Sequence, residues 1–209
     1  MKCLVLLFVS VLLTACDWFE RDLEWKQEVT LQDGRIVTVD RVSKVTGKRF
    51  PEGGNYDAYQ SLTFTHPDTG ERIAWAPPEH TGPVMLDFDG GNTYVVVQAI
   101  SSGDYNRIGC PNPPSLVYRY ADKQWTQVSI NEMPARFEER NIQRRSMDDR
   151  AAIADGVVTA AEFYAEWHNY RTRDEDRIIS REKANPSALG CFGSVLIQQG
   201  RQSEIDYRM

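Results

Sequence analysis

The side chains of this chain that could do chemistry are few. They are Cys110 and Cys191, the histidines His66, His80 and His168, and two acidic constellations, Asp87-Phe88-Asp89 and Asp155 with Glu162. A cysteine works as a nucleophile only as the thiolate, which needs a histidine or a helix N-terminus close by. Neither cysteine is flanked by a cysteine-protease signature. The histidines are not spaced as a helix-borne zinc pair, and no H-E-x-x-H, G-x-S-x-G, P-loop or G-x-G-x-x-G occurs. No catalytic residue, no metal site and no cofactor is therefore expected.

The acidic constellations read more simply as punctuation. With Gly156 as the sixth residue of a calcium loop and Glu162 as the twelfth, the first and third positions are Ala151 and Ile153. Neither offers an oxygen ligand, which a hard cation requires. Thr159-Ala160-Ala161-Glu162 explains the same residues as a helix capping box. In Asp87-Phe88-Asp89 the carboxylates are two residues apart, hence on one face of a strand. Asp89 also opens the turn Asp89-Gly90-Gly91-Asn92, where Asp is favoured for local hydrogen bonding. Paired carboxylates for glycan cleavage stay open, because 30 acids offer many pairs and only their separation decides.

The N-terminus carries the most specific signal. Met1-Lys2 leads into the apolar run Leu4–Leu13, and Leu13-Thr14-Ala15-Cys16 closes it. A basic start, an apolar run of about ten residues and a small-residue exit form a secretory signal, too short for the roughly 20 apolar residues that span a bilayer. Leu13-Thr14-Ala15-Cys16 resembles the lipobox of bacterial lipoproteins. That resemblance implies a signal peptide over residues 1–15, removed on maturation, and acylation of Cys16 by palmitate-type chains. Two or more acyl chains anchor a protein stably to a membrane. It places the protein on the periplasmic face of a bacterial membrane. Asp17, directly after the lipidated cysteine, points to the inner membrane, and the choice between the two membranes stays open.

That compartment also speaks for the remaining cysteines. Cys3 leaves with the signal and Cys16 carries the lipid, so Cys110 and Cys191 are one pair in an oxidising environment. A disulfide between them is expected, with two buried thiols as the bland alternative. Removing the first 15 residues takes away one Lys and no acid, leaving 23 basic against 30 acidic residues, a net charge of −7. Such a surface argues against nucleic acid and against electrostatic docking on anionic lipid, and permits a basic partner.

The elements that would position these residues are mostly strands. Four hairpin signals recur: Glu28–Val42 around Asp33-Gly34, Ser61–Phe64 and Arg72–Ala76 around His66–Gly70, Val84–Phe88 and Thr93–Ile100 around Asp89–Asn92, and Leu116–Tyr120 and Trp125–Ile130 around Ala121–Gln124. Asp-Gly favours a type I′ turn with positive φ at both central positions. Tyr94-Val95-Val96-Val97 is continuous rather than alternating and predicts a strand buried on both faces. Residues 43–57 read as a polar loop. Ser101–Ser115, with Pro111, Pro113 and Pro114, reads as a long irregular loop that cannot be helical. Pro134–Lys183 has a charged, helical pattern, with Phe163, Trp167 and Tyr170 on one face, and Gly190–Gln199 reads as a returning strand.

The expected fold is α+β: an antiparallel, hairpin-rich β-sheet, as a sandwich or open barrel, with a C-terminal helical segment packed on it. Residues 1–15 form the signal peptide, 16–26 a lipidated tether in which Trp25 is either an interfacial aromatic or the start of the fold, and 27–209 one globular domain. Tyr105, Asn106, Arg107 and Asn112, in the loop held at Cys110, form a candidate binding surface, since loops on a rigid scaffold carry function. The expected function is a non-enzymatic, membrane-anchored module that binds another envelope or secreted protein, in its sharpest form an immunity protein against a toxin delivered to the periplasm. An envelope glycan or peptide hydrolase and a structural envelope lipoprotein are the alternatives.

Overall fold

The computed structural model describes residues 21–46, 56–142, 156–162 and 179–182 together with Cys191. These residues are mostly β-structure. The elements are β1 (Arg21–Thr30), β2 (Ile36–Thr46), β3 (Tyr56–Thr65), β4 (Arg72–Trp75), β5 (Thr81–Asp89), β6 (Asn92–Ala99), helix α1 (Ser102–Arg107), β7 (Leu116–Ala121), β8 (Gln124–Val128), a 3-10 turn (Ile130–Glu132) and β9 (Val157–Val158).

They form two sheets. The first runs β4-β3-β2-β1-β9, the second β5-β6-β7-β8. All pairings are antiparallel except β1 with the two-residue β9. The expected hairpins are all present, and three of their turns show why. Asp122 and Lys123 both have positive φ between the paired Ala121 and Gln124, as a two-residue type I′ turn demands. At Asp33-Gly34 only Gly34 is left-handed, and the Leu31 amide donates to the Arg35 carbonyl. This is a three-residue loop rather than the two-residue type I′ turn expected, because the glycine alone supplies the positive φ. Gly70, also left-handed, closes the β3–β4 loop by donating to the His66 carbonyl.

The strand pattern sets a layered core. Val29, Val37, Val39, Leu62, Phe64, Ile73 and Trp75 of the first sheet meet Leu86, Phe88, Val95 and Val97 of the second. Phe64 and Phe88 touch edge to face, with ring centres 5.8 Å apart. The opposite face of the first sheet carries Lys26, Asp40 and Arg72 in exposed ion pairs and is solvated. The second sheet is covered on its far side too: Val84, Met85, Tyr94, Val96 and Val117 pack against Ile130, Met133, Phe137 and Ile179. That accounts for the continuous apolar run in β6, whose Thr93–Val97 are all buried.

Several expectations need correcting. β1 begins at Arg21, and Trp25 is 4% exposed, so 21–26 are strand rather than tether and Trp25 begins the fold. Ser43–Thr46 and Tyr56–Asp57, expected in a loop, extend β2 and β3, because their partner strands continue the ladder. Residues 134–142 are irregular rather than helical. Their polar groups bond across the fold: Asn141 and Ile142 amides both donate to the Val84 carbonyl, which takes the place of an intrahelical ladder. The capping box is in place, with the Glu162 amide on Thr159 Oγ1 (3.2 Å) and the Thr159 amide on Glu162 Oε2 (2.7 Å). The helix opens at Ala160. The lipobox, the Phe163-Trp167-Tyr170 face and the strand Gly190–Gln199, apart from Cys191, lie outside the described residues.

Two side chains bind this architecture together. Asn141, 2% exposed, accepts from the Leu86 amide (2.9 Å) and donates to the Leu86 (2.8 Å) and Thr30 (2.9 Å) carbonyls. It thereby acts as one residue of extra strand on β5 while reaching the other sheet. Arg181 donates to the carbonyls of Ile130, Met133, Pro134 and Phe137, at 2.7–3.3 Å. Its planar fork holds the covering segment in shape, as a lysine could not.

Candidate functional site around the disulfide-pinned loop

The segment between β6 and β7 is where the chemistry-bearing residues gather. Cys110 and Cys191 are joined, with their Cα atoms 6.0 Å apart. The expected loop contains a helix, contrary to the sequence reading. The three prolines restrict residues 111–114 only, while Ser102–Arg107 contain none and Ser101 caps them. The Ser101 hydroxyl accepts from the Asp104 amide (3.1 Å) and donates to Asp104 Oδ2 (2.7 Å). Beyond α1 the chain turns through left-handed Gly109 and Cys110, and the Asn112–Pro113 bond is cis.

The four candidate surface residues separate here. Tyr105 is 4% exposed, packs with Cys110 and Cys191, and donates its hydroxyl to the Pro111 carbonyl (2.7 Å). Its ring builds a small core with the disulfide and offers no face to a partner. The sequence spacing concealed this, because the cluster around Tyr105, with Ala99, Ile108 and Cys110, is completed by the distant Cys191. Arg107 is exposed, and Asn106 and Asn112 are half-buried. The Asn106 side-chain amide donates to the Ser102 carbonyl (2.8 Å).

Asp104 and His80 are the pair that the sequence did not bring together. Asp104, whose side chain is 5% exposed, has His80 Nδ1 at 3.0 Å and Arg107 Nη1 at 3.1 Å, both on Oδ1. His80 stands in left-handed backbone after Pro77-Pro78-Glu79, and its carbonyl accepts the Ile100 amide. An imidazole oriented at Nδ1 by a buried carboxylate has part of the geometry of a general base, although its Nε2 faces Glu79 Oε2 at 4.0 Å. Among the described residues, the nearby candidates for a nucleophile are engaged: Ser101 donates to Asp104, and Cys110 is in the disulfide. The Ser101-x-x-Asp104 cap was readable in the sequence. The contact with His80 was not, because it bridges the two ends of the β5–β6 hairpin.

Asp87, Asp89 and His66, also singled out in the sequence, are engaged structurally. Asp87 is buried, and its oxygens accept from the Gln32 (2.7 Å) and Phe88 (2.8 Å) amides. Burial pushes its carboxyl above the ordinary range. Asp89 pairs with Arg136 at 2.6 Å. His66 is buried beneath Phe88, its Nδ1 accepting from the Asp68 and Thr69 amides, and burial lowers its pKa. No group of three His, Cys, Asp or Glu able to hold a metal occurs among the described residues. Arg41 is the largest fully buried side chain among them. It stacks on Trp25 at 4.7 Å and donates to the side-chain oxygens of Gln27 (2.6 Å) and Gln60. His168 lies outside the described residues.

No protein-family model, no curated protein and no solved structure matches this chain.

Proposed function

We propose that this chain is a lipid-anchored periplasmic protein that binds another envelope or secreted protein and performs no catalysis. The observation that carries the reading is the pinned segment from Ser101 to Ser115. Its helix is capped, its tyrosine is buried and its disulfide joins residues 81 apart. It thus offers Asn106, Arg107 and Asn112 on a rigid support, and preorganised loops lose little entropy on binding. The lipobox at Leu13–Cys16 supports the anchor, and a disulfide suits the compartment it implies. Charge supports the partner's sign, because an acidic chain steers onto a basic protein. An immunity role against a periplasm-delivered toxin is the sharpest form of this reading. The α+β class rests on the helix opening at Ala160 and on the aromatic spacing that follows in the sequence.

The test is co-purification of the full chain, extracted from its own membrane in mild detergent, in wild-type and Arg107→Glu forms. One protein held near one-to-one by the wild type and lost by the variant supports the reading. A partner that is toxic when produced alone marks immunity. An equal set of proteins with both forms contradicts it. The His80–Asp104 pair keeps a hydrolase as the second reading, and His80→Gln abolishing glycan or peptide cleavage by the full chain would favour it.

A further inference from the structure

Sheet edges invite pairing with other chains, and proteins guard them with short strands, charges, prolines, bulges or cover. Among the described residues, three of the four edges are guarded. β4 has four residues, begins at Arg72, is followed by Pro77-Pro78, and has its Ala74 carbonyl taken by Trp125 Nε1 (2.9 Å). β9 has two residues. β5 contains Pro83 and a register shift beside it, and Asn141 occupies both backbone groups of Leu86.

β8 has none of these. Gln124-Trp125-Thr126-Gln127-Val128 contains no charge and no proline, and its register with β7 is unbroken. The type I′ turn makes Ala121 and Gln124 a hydrogen-bonded pair, and antiparallel pairs alternate from there. The N–H and C=O groups of Trp125 and Gln127 therefore point away from β7. Among the described residues nothing bonds them, and Gln124, Thr126 and Gln127 are exposed.

We propose that β8 is a docking edge for a second copy of this chain, paired antiparallel about a two-fold axis through Thr126. The strand complements itself in that register. Trp125 meets Gln127 of the other copy and Gln127 meets its Trp125, so four backbone hydrogen bonds form. Thr126 faces Thr126 as a non-hydrogen-bonded pair, a favourable cross-strand match, and no charge opposes a like charge. The two four-stranded sheets become one of eight strands. A closed isologous contact of this kind ends at two copies and uses up the edge. This inference stands apart from the anchor and from the pinned loop.

The test uses the full chain as its own cell produces it. A non-hydrogen-bonded pair brings Cα atoms to about 4.5 Å, within disulfide range. Thr126→Cys should therefore cross-link to a doubled mass on mild oxidation, whereas Lys123→Cys and Asn131→Cys, exposed but off the axis, should cross-link at least tenfold less. In detergent, the wild type should sediment as a dimer and both Thr126→Lys and Thr126→Glu as monomers, while their mixture forms a heterodimer. A monomeric wild type, cross-linking equal at all three positions, or a Thr126→Lys variant as dimeric as the wild type would each overturn the proposal.

Discussion

Asn141→Ala should be among the most damaging single changes outside the apolar core. The side chain satisfies three backbone groups in two sheets: the Leu86 amide, the Leu86 carbonyl and the Thr30 carbonyl. Leaving one buried polar group unpaired costs about 1–3 kcal/mol. Three such losses would sum to roughly 3–9 kcal/mol. The lower half applies, because water reaches part of a vacated edge and the Asn141 and Ile142 amides keep their bonds to Val84. A loss of about 3–5 kcal/mol is expected, or a fall in Tm on the order of 10 °C for a chain of this size. Asn141→Asp retains the volume and the acceptor for Leu86, but sets a carboxylate against two carbonyls, and should lose at least as much. Equilibrium urea unfolding of the oxidised protein measures both, with exposed Asn131→Ala as a control expected within about 0.5 kcal/mol of wild type. A loss below about 1 kcal/mol for Asn141→Ala would refute the edge-sealing argument.

Four further outcomes follow from the same geometry. Arg181→Ala should cost about 2–3 kcal/mol by releasing four carbonyls, and Arg181→Lys should recover less than half of it, both read by urea unfolding. Because burial lowers the His66 pKa, the unfolded chain takes up that proton first as pH falls. Stability should therefore drop from the ordinary histidine value near 6.5 downward, and His66→Asn, which keeps an acceptor for the Asp68 and Thr69 amides, should flatten that part of the urea-midpoint profile. Asp87 works the other way in the acid range: its raised pKa makes the folded state the better proton binder there, so its contribution rises as pH falls toward the ordinary carboxylate value. Replacing Cys110 and Cys191 by Ser should cost about 3–5 kcal/mol on the chain-entropy account of so long a loop, measured by thermal unfolding with and without reductant.

The sequence made the hairpins legible because turn chemistry is local. Gly34, Gly70 and the pair Asp122-Lys123 each need a backbone shape that few residues accept, and they announced it. The β6 run was readable for the same reason, as an absence of polar alternation over consecutive residues. What stayed hidden was set by contacts far apart in sequence. Asn141 reaches Thr30, Arg181 reaches Ile130, and His80 reaches Asp104. A polar residue destined for such a bond looks like any surface residue until its partner is known. Gln27 and Arg41 hid the length of β1 and β2 in this way, since buried polar groups broke the apolar alternation that marks a strand. Helix α1 was missed because prolines near it were weighed over the whole segment. The cap at Ser101 and the proline-free stretch after it were the better local signal.

The proposed membrane anchor sets where any partner is met, and the most direct measurement of it is the intact mass of the full chain extracted from its own cell. The account predicts a mature protein beginning at Cys16, heavier than its 194 residues (209 less the first 15) by a diacylglyceryl group and an amide-linked acyl chain. A chain that retains Met1, or one that begins elsewhere with Cys16 unmodified or removed, would contradict it.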